Sequence, residues 1–245
     1  MTTQSGLLAP ETHARAMDRI YRWQRHFYNP TRKFYLIGRD EMIASLGAQP
    51  AAHVLELGCG TGRNLAVAAR YFPQSTFYGV DISAQMLTSA RHMAQREKLN
   101  HGTSIVTAQG DASSFDAAAR FGVEGFDRIM LSYCLSMIPD WRVAVENAIR
   151  QTAPGGSIHI VDFGHMGRWP YWMRWSMRKW LSSFKVSPCR DLVGVAERLA
   201  DEAGFSSRSE CLMGGYAWHV VLQKPVDPKP FEISESVEGL PEVTA

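Results

Sequence analysis

The sequence predicts an α/β protein built on a mostly parallel sheet, and three observations support this fold class. From about residue 53 onward, apolar runs alternate with stretches of helical periodicity, which is typical of strands joined by helices that cover both faces of a sheet. The run Val54–Leu57 leads into glycines at alternate positions, so the chain turns sharply after this strand. Two further runs flank Gly214 and Gly215, which predicts a C-terminal hairpin and an antiparallel sheet edge.

The elements are expected in the following order. Residues 1–47 form an N-terminal helical cap, in which one helix begins near Pro10 and ends at Asn29-Pro30, and a second runs from about Thr31 to Leu46 before Gly47. Residues 48–225 form the sheet domain, with an insertion at 165–190. Strands are predicted at 53–57, 76–80, 103–108, 126–132, 157–163, 206–213 and 216–222, and helices at about 63–71, 84–97, 141–151 and 192–203. Residues 226–245 are rich in proline and glutamate and are expected to be disordered.

The composition narrows the class of function. A chain of 245 residues with 45% hydrophobic and 20% charged residues suits one soluble domain. The net charge of +2 gives the whole molecule no strong field, and we expect no nucleic-acid partner. Four scattered cysteines without a C-x-x-C pair argue against a disulfide or a metal site. No long apolar stretch or leader pattern is present, so a cytoplasmic location is expected.

The glycine loop after the first strand predicts a nucleotide-type ligand. A dinucleotide-binding loop would need Gly or Ala at position 63, which is Arg63, and no Gly-Lys-Ser/Thr sequence of a phosphate-binding loop follows. Asp81 ends the second strand, and an acid about twenty residues beyond such a loop can bind a ribose hydroxyl pair. Glu56, Asp111 and Ser132 also end strand-like runs. Because ligands of open α/β sheets bind beyond the carboxyl ends of the strands, these side chains should converge on one cleft.

The segment E-x-G-x-G-x-G, followed by V-D-I-S at 80–83, resembles the first two motifs of class I S-adenosylmethionine-dependent methyltransferases. The resemblance implies a seven-stranded Rossmann-like fold and S-adenosyl-L-methionine as cofactor, with S-adenosyl-L-homocysteine as product. It places the loop around the methionine part, Asp81 on the ribose and Asp111 near the adenine. The cofactor-binding residues implied are Glu56, Gly58, Gly60, Gly62, Asp81, Ile82, Met86, Asp111, Ala112 and Ser132. Met86 is equally open to a role in the core.

Two segments rich in aromatics and arginine, 17–40 and 165–190, should choose the substrate. The second contains no acid and four tryptophans. On a helical projection, one side carries Trp169, Trp172, Met173, Met177 and Trp180, and Arg174 and Arg178 fall opposite. Tryptophan and basic residues on an amphipathic helix suit an anionic membrane surface. A helix packed over the sheet and an RNA-binding surface are the alternatives.

The N-terminal block I-Y-R-W-Q-R-H-x-Y-x-x-T-R-K-x-Y-L-x-G-R-D looks like that of bacterial betaine-lipid N-methyltransferases, and the resemblance extends to about Pro225. These enzymes convert diacylglycerylhomoserine to diacylglyceryl-N,N,N-trimethylhomoserine. The resemblance implies an amine-headed lipid substrate, peripheral association with the inner membrane surface, and an aminocarboxypropyl transferase of the same pathway as a partner. Phosphatidylethanolamine N-methyltransferases and quinone C-methyltransferases share a looser N-terminal helix, so both remain alternatives, as does a soluble substrate.

Methyl transfer from a sulfonium needs no metal, but it needs a neutral amine in line with the methyl group. Tyrosine hydroxyls can orient the nitrogen, and the rings can stabilise the cation that forms. The candidate catalytic residues are Tyr21, Tyr28, Tyr133 and His165, the last as a general base. The candidate substrate-binding residues are Arg22, Arg32, Tyr35 and Arg39, with arginine matched to the homoserine carboxylate. Arg39 could instead hold the cofactor's carboxylate. A cofactor-binding module without turnover is the competing hypothesis from another class.

Overall fold

A computed structural model describes residues 35–183, 186–189 and 191–226. Most of the predicted cap and nearly all of the predicted tail lie outside these ranges. The strands are β1 His53–Leu57, β2 Thr76–Asp81, β3 Ile105–Gln109, β4 Phe126–Ser132, β5 Thr152–Phe163, β6 Ser206–Leu212 and β7 Ala217–Gln223. The helices of the described residues are α1 Arg39–Ala44, α2 Arg63–Tyr71, α3 Ala84–His101, α4 Ala117–Phe121, α5 Trp141–Gln151, α6 Tyr171–Ser183 and α7 Leu192–Glu202, with a 3₁₀ turn at Leu135–Met137.

All seven strands form one sheet in the order β3-β2-β1-β4-β5-β7-β6. The pairs between β1, β2, β3, β4 and β5 are parallel, and β7 runs antiparallel to both β5 and β6. Leu57 is in register with Val80 on one side and Leu131 on the other, so three strands end at the same level. This confirms the predicted seven-stranded sheet with a C-terminal antiparallel hairpin.

The sheet has an apolar layer on each face. On one face, Val145 of α5 and Leu192 of α7 share a buried cluster with Ile129 and Ile158. On the other, Ile43 of α1, Leu65 of α2 and Leu87 of α3 join a second cluster. Burial of apolar area on both faces is the main stabilising contribution to such a layered domain. The sheet is therefore a rigid platform whose carboxyl edge positions the loops.

Several predicted boundaries differ from the observed ones. The helix expected from Thr31 to Leu46 is not continuous, because Gly38 takes the left-handed conformation with φ 83° and α1 begins only after it. A side chain at Gly38 would also overlap Leu212. Strand β5 begins at Thr152 rather than at 157, since Thr152 pairs with Phe126 before the register shifts. Helix α3 continues to His101 before Gly102, and β3 begins later than predicted.

One helix of the sheet domain was not predicted, and a second was expected only through the helical projection of the insertion. The short α4 begins at Asp116, whose side chain accepts a hydrogen bond from Ala119 N at 2.9 Å, and its five residues are too few to show helical periodicity. Helix α6 occupies the centre of the insertion at 165–190. Within the described ranges, no helix combines the length and hydropathy needed to cross a membrane.

Candidate cofactor and substrate site

The three glycines of the loop after β1 all have positive φ, with values of 72°, 52° and 76° for Gly58, Gly60 and Gly62. A Cβ atom at Gly58 would lie 2.6 Å from Cys134 Cβ, and one at Gly62 would lie 3.2 Å from Ala90. At Gly60 it would meet nothing within 4 Å. Gly58 and Gly62 are therefore needed for packing as well as for backbone conformation. Gly60 borders open space, where a ligand can approach the main chain closely.

Asp81 fixes the tip of this loop. Its Oδ2 accepts a hydrogen bond from Gly60 N at 2.8 Å, and its Oδ1 accepts one from Ser83 N at 2.9 Å. Ser83 in turn begins α3 by accepting from Met86 N at 3.3 Å. The carboxylate is only partly buried, so it stands between the glycine loop and the start of α3. An acid at the end of β2 in this position can reach a ribose bound over the loop.

Glu56 lies fully buried below the loop. Its Oε1 accepts a hydrogen bond from Asn64 Nδ2 at 2.7 Å, and its Oε2 has no hydrogen-bond partner among the described residues. Burial raises the pKa of Glu56 to about 8, although Asn64 and the charges of Arg39 and Arg63 act in the opposite direction. A buried carboxyl with a spare oxygen is ready to accept from a cationic group, because that group would offset the cost of ionisation.

A main-chain hydrogen bond connects the ends of β2 and β3 next to Asp81 and Glu56. Gly110 N donates to the Asp81 carbonyl oxygen at 3.0 Å, and the Asp111 side chain accepts from Ser113 N at 2.8 Å. Ala112 and Met86 are buried, and Ile82 is partly exposed. The structure therefore brings the predicted adenine-side residues to the ends of neighbouring strands. The burial of Met86 satisfies the core alternative equally well.

The end of β4 contributes a polar atom and an anchor. Ser132 Oγ is buried and has no partner within the described ranges. Tyr133 follows with φ 51°, and its hydroxyl donates to the Ile37 carbonyl oxygen at 2.6 Å. Burial raises the pKa of Tyr133 far above that of an exposed tyrosine. In this arrangement the hydroxyl proton holds the cap segment on the sheet, a use that sequence reasoning did not anticipate.

Tyr216 forms a second anchor and was missed as a site residue. Its hydroxyl donates to the Tyr35 carbonyl oxygen at 2.7 Å, and its ring stacks on Trp169 with centroids 5.4 Å apart. Phe163 lies between the two anchors, with its centroid 4.6 Å from that of Tyr133 and 5.8 Å from that of Tyr216. An aromatic wall therefore connects β4 with α6. Tyr216 directly follows two glycines, and that turn was the available signal for a residue of special position.

Asp162, near the end of β5, was also missed. Its Oδ1 accepts from Phe163 N at 2.7 Å and its Oδ2 from Ser136 N at 3.1 Å. Burial raises the pKa of this carboxyl to about 6. The rule that selected Glu56 and Asp81, an acid near a strand end, applies equally to Asp162 and would have found it.

The described part of the cap supplies Tyr35 and Arg39. The ring of Tyr35 meets Trp180 edge-on with centroids 4.8 Å apart. Arg39 Nε donates to the Leu36 carbonyl oxygen at 3.2 Å, and its charge lowers the pKa of both Glu56 and Tyr133. Arg39 is therefore placed beside the cleft. The other cap candidates, Tyr21, Arg22, Tyr28 and Arg32, lie outside the described residues.

Helix α6 presents its aromatics differently from the helical projection. Met173 and Met177 are partly buried and Leu181 is buried, but Tyr171, Trp172 and Trp175 are 74%, 69% and 55% exposed. The predicted grouping of Trp172 with Met173 and Met177 is wrong, because the packed stripe is narrower than the projection assumed. His165 is exposed beyond β5, and its carbonyl oxygen accepts from Arg178 Nη2 at 3.4 Å.

Comparison with known proteins agrees with this geometry. Residues 54–156 match a family model described as a methyltransferase domain. This part of the chain, less than half of its length, is therefore similar to S-adenosylmethionine-dependent methyltransferase domains. Its fold is similar to that of magnesium protoporphyrin IX methyltransferase from Synechocystis PCC 6803, solved with bound S-adenosylmethionine, with a TM-score of 0.62, 17% identity, and coverage of 91% of this chain and 100% of that one.

Two curated relatives show how far the sequence similarity extends. Trans-aconitate 2-methyltransferase of Azoarcus sp. (strain BH72) is 29% identical over 120 residues, which are 49% of this chain and 42% of that protein. The 2-phytyl-1,4-naphtoquinone methyltransferase of Trichormus variabilis is 28% identical over 165 residues, 67% of this chain and 68% of that one. The chain thus spans less than half the length of the Azoarcus relative. The similarity concerns the methyltransferase domain rather than a shared substrate.

The cofactor of this domain is S-adenosyl-L-methionine. The residues of the cleft fit it, since Gly60 leaves room for a ligand on the main chain and the unpaired Glu56 Oε2 suits a cationic one. Bound there, the cofactor supplies a methyl group on a positively charged sulfur. Among the described side chains, no group of three or more His, Cys, Asp or Glu is arranged to hold a metal ion.

Proposed function

We propose that this protein is a lipid-amine N-methyltransferase that converts diacylglycerylhomoserine to diacylglyceryl-N,N,N-trimethylhomoserine at a membrane surface. The observation that carries the proposal is the outer face of α6, where Tyr171, Trp172 and Trp175 are exposed and Arg174, Arg178 and Lys179 lie among them. The matched domain supports the methyl transfer itself. The resemblance of the N-terminal block supports the head group.

The outer face of α6 has the chemistry of a membrane interface. Arg174 lies 5.8 Å from the centre of the Tyr171 ring, and Lys179 lies 5.0 Å from that of Trp175. Aromatic rings of this kind settle at the level of lipid head groups. Each nearby cation adds about 1 kcal/mol of attraction to an anionic leaflet. Segment 165–190 contains no acid, so no negative charge on it opposes that attraction, which supports the proposed peripheral association with the inner membrane surface.

Contacts of α6, and of Trp169 just before it, connect this surface to the cleft. Trp180 packs against Tyr35 of the cap, and Trp169 packs against Tyr216, whose hydroxyl binds the same segment. A lipid lying against α6 would present its head group beside the segment that also carries Arg39. We therefore assign Arg39 and Tyr35 to the head group, together with Arg22 and Arg32 of the cap, although Arg39 can equally bind the cofactor's carboxylate.

The protein's part in the reaction is to present a neutral amine in line with the methyl group. An aromatic pocket disfavours the ammonium form through desolvation, and alignment lowers the barrier further. We assign orientation of the nitrogen to Tyr21 and Tyr28, and proton acceptance to His165, which is exposed to solvent beyond β5. Because the hydroxyl of Tyr133 donates to Ile37, its ring rather than its hydroxyl would face the cation.

A quinone or a soluble molecule is the second candidate substrate. The similarity to a naphthoquinone methyltransferase favours it, because that relative covers two thirds of the chain. A prenylated quinone would also use a membrane surface, so the face of α6 does not separate it from an amine-headed lipid. Phosphatidylethanolamine would use the same surface but lacks the carboxylate that arginine would bind.

The test is product analysis with defined substrates. The whole chain is incubated with methyl-labelled S-adenosylmethionine and vesicles that contain diacylglycerylhomoserine, phosphatidylethanolamine or demethylmenaquinone, with trans-aconitate as a soluble arm. We expect label in the homoserine lipid, with masses of one to three added methyl groups. Label in the quinone or in trans-aconitate alone would refute the proposal. Co-purification with an aminocarboxypropyl transferase would support the pathway partner.

A further inference from the structure

A polar groove lies on the sheet face that carries α1, at the end of the sheet opposite to the glycine loop. It has a volume of about 370 Å³ and is lined by residues of β4, β5, β6 and β7 together with Ser45 and Leu46 at the end of α1. The groove lies toward the amino-terminal ends of β4 and β5, whereas ligands of the cofactor cleft occupy their carboxyl ends. It is therefore separate from the methyltransferase site.

Strand register explains why this groove is polar. Arg128, Ser157, Gln223 and Ser206 are successive partners across β4, β5, β7 and β6, and so are Met130, His159, Val221 and Arg208. The rows between them, such as Ile129, Ile158 and Leu222, point to the other face and are buried there. Because side chains alternate between faces, four adjacent strands direct polar groups to one side. Such a row is costly beneath a packed layer and useful in a binding site.

The charges that line the groove are positive. Arg128 is held in place by all three of its nitrogens, since Nη2 donates to the Gly47 carbonyl oxygen at 3.0 Å, Nη1 to that of Asp127 at 2.6 Å and Nε to that of Leu46. One N–H on each of Nη1 and Nη2 is left over for an anion. Arg208 projects from the edge strand β6 and is exposed. No Asp or Glu occurs among the described residues that line the groove. The nearest acids are Asp127, which directly precedes Arg128 and whose carboxylate accepts from His53 N at 2.8 Å, and Glu210, which pairs with His219 on β7.

A buried imidazole in the groove has an unused nitrogen. His159 is 2% exposed, its Nε2 lies 3.0 Å from Ser157 Oγ, and its Nδ1 has no partner among the described residues. Burial and the charges of His219, Arg128 and Arg208 lower the pKa of His159 to about 3, so the ring is neutral. If the Ser157 hydroxyl donates to Nε2, the ring proton is on Nδ1, which is then a donor in need of an acceptor.

We propose that this groove is a binding site for a small oxyanion of the phosphate or carboxylate class, held by Arg128 and Arg208 with the Nδ1–H of His159 as a neutral donor, whose tautomer Ser157 fixes by donating to Nε2. The planar guanidinium groups match the oxygens of either anion. Because Arg128 also binds carbonyl oxygens at the end of α1, a bound anion would strengthen the attachment of this helix to the sheet.

The experiment titrates inorganic phosphate, and separately acetate, into the isotopically labelled whole chain, against chloride at matched ionic strength. We expect saturable shifts of the backbone amides of Ser157, His159 and Arg208, and a melting temperature that rises with phosphate concentration. In Arg208→Gln we expect at least about tenfold weaker phosphate binding, since one charge-assisted contact is lost. Saturation by acetate but not phosphate would assign the carboxylate class.

Arg91→Gln is the matched control, because Arg91 is an exposed arginine on α3. If phosphate binding weakens equally in both variants, the effect comes from the net charge of the protein and the site is overturned. Chemical shifts that do not saturate with phosphate would overturn it as well. Arg208 lies on an exposed edge strand, and the melting temperature of the variant in chloride checks that it folds. None of these measurements depends on methyl transfer, so a result against the anion site would leave the proposed function untouched, and the reverse also holds.

Discussion

The glycine-loop edge and helix α6 both follow carboxyl ends of strands in the same sheet, but they are built in opposite ways. In the loop, the Asp81 carboxylate accepts from two main-chain N–H groups, and Gly58 packs directly against Cys134. In α6, the largest side chains face outward, with Trp172 and Trp175 more than half exposed. The loop is fixed by backbone geometry, whereas α6 is a surface set by side-chain chemistry.

This contrast separates cofactor recognition from substrate choice. The loop with its main-chain contacts lies within residues 54–156, which the family model matches. The Azoarcus and Trichormus relatives, whose names give different substrates, are similar to this chain over 49% and 67% of its length. Helix α6 lies outside the residues matched by the model. Substrate choice should therefore depend on α6 and the cap. Variants of the glycine loop should change cofactor affinity, and variants of α6 should change membrane association.

The largest expected effect is that of Asp81→Ala on cofactor binding. The substitution removes the acceptor for Gly60 N and Ser83 N and the proposed ribose ligand. A ribose hydroxyl pair can make two charge-assisted hydrogen bonds to this carboxylate, each worth about 1.5–3 kcal/mol, so their loss should weaken binding by at least about 100-fold. Calorimetry with S-adenosylmethionine measures this directly, and association with anionic liposomes should be unchanged.

Asp201→Ala serves as the control, since Asp201 is an exposed carboxylate on α7 at the far face of the sheet. It should bind cofactor as the unsubstituted protein does. Micromolar affinity retained in Asp81→Ala would show that the cofactor binds elsewhere, and the division between the two regions would then have no basis.

The division also explains what the sequence could predict. Glycines with positive φ and an acid at a strand end are local requirements, so Gly58, Gly60, Gly62 and Asp81 were identifiable from spacing alone. Likewise, the mostly parallel sheet follows from the alternation of strands and helices, and the antiparallel edge from the two runs around Gly214 and Gly215. Side-chain partners across long sequence distances could not be predicted in this way. The hydroxyl of Tyr216 binds a carbonyl 181 residues away, and no periodicity encodes such a contact.

Helix boundaries, and the side of a helix that packs on the sheet, were predicted less well because they also depend on contacts between distant residues. The break at Gly38 depends on the tertiary contact with Leu212, which competes with local helix propensity. On α6, the packed stripe is set by the contact of Trp180 with Tyr35 and by the stacking of Trp169, just before the helix, on Tyr216. A helical projection alone contains neither contact, and it placed Trp172 on the wrong side.

The exposed tryptophans of α6 should affect membrane association rather than cofactor binding. Replacing Trp172 and Trp175 together by alanine should weaken association with anionic liposomes by about 10- to 100-fold, because each exposed indole contributes on the order of 1 kcal/mol or more when its apolar area enters the interface. Cofactor affinity should change less than twofold. Sedimentation with vesicles and calorimetry on the same preparation give both values.

Tyr71→Ala is the control for this pair, since Tyr71 is 56% exposed at the end of α2. If it lowers liposome association as much as the double variant does, the effect comes from exposed aromatics in general. A parallel loss of cofactor affinity in the double variant would mean that α6 is a structural support of the sheet, and the proposed membrane surface would be wrong.

The smallest expected effect is the pH dependence of cofactor affinity, which tests whether Glu56 below the glycine loop ionises when a cationic ligand binds. With a pKa of about 8 in the cofactor-free protein, the carboxyl is mostly protonated at pH 7. A cationic ligand beside Oε2 favours the ionised form and lowers that pKa, so binding should release a proton. Cofactor affinity should rise several-fold between pH 6 and pH 8, and Glu56→Gln should remove this dependence. Calorimetry in buffers of different ionisation enthalpy counts the proton.

The pH dependence of folding stability gives an independent check of the Glu56 carboxyl, and the direction of its pKa shift fixes the direction of the effect. Because the folded-state pKa of Glu56 lies above the usual 4.5, its contribution to stability is fully present below pH 4.5 and is lost as the pH rises through about 8. Glu56→Gln cannot ionise, so the melting temperature of the variant relative to the unsubstituted protein should increase across that range. If the difference is constant with pH, the carboxyl is already ionised in the folded protein, and Glu56 then meets the cofactor as a preformed anion that releases no proton on binding.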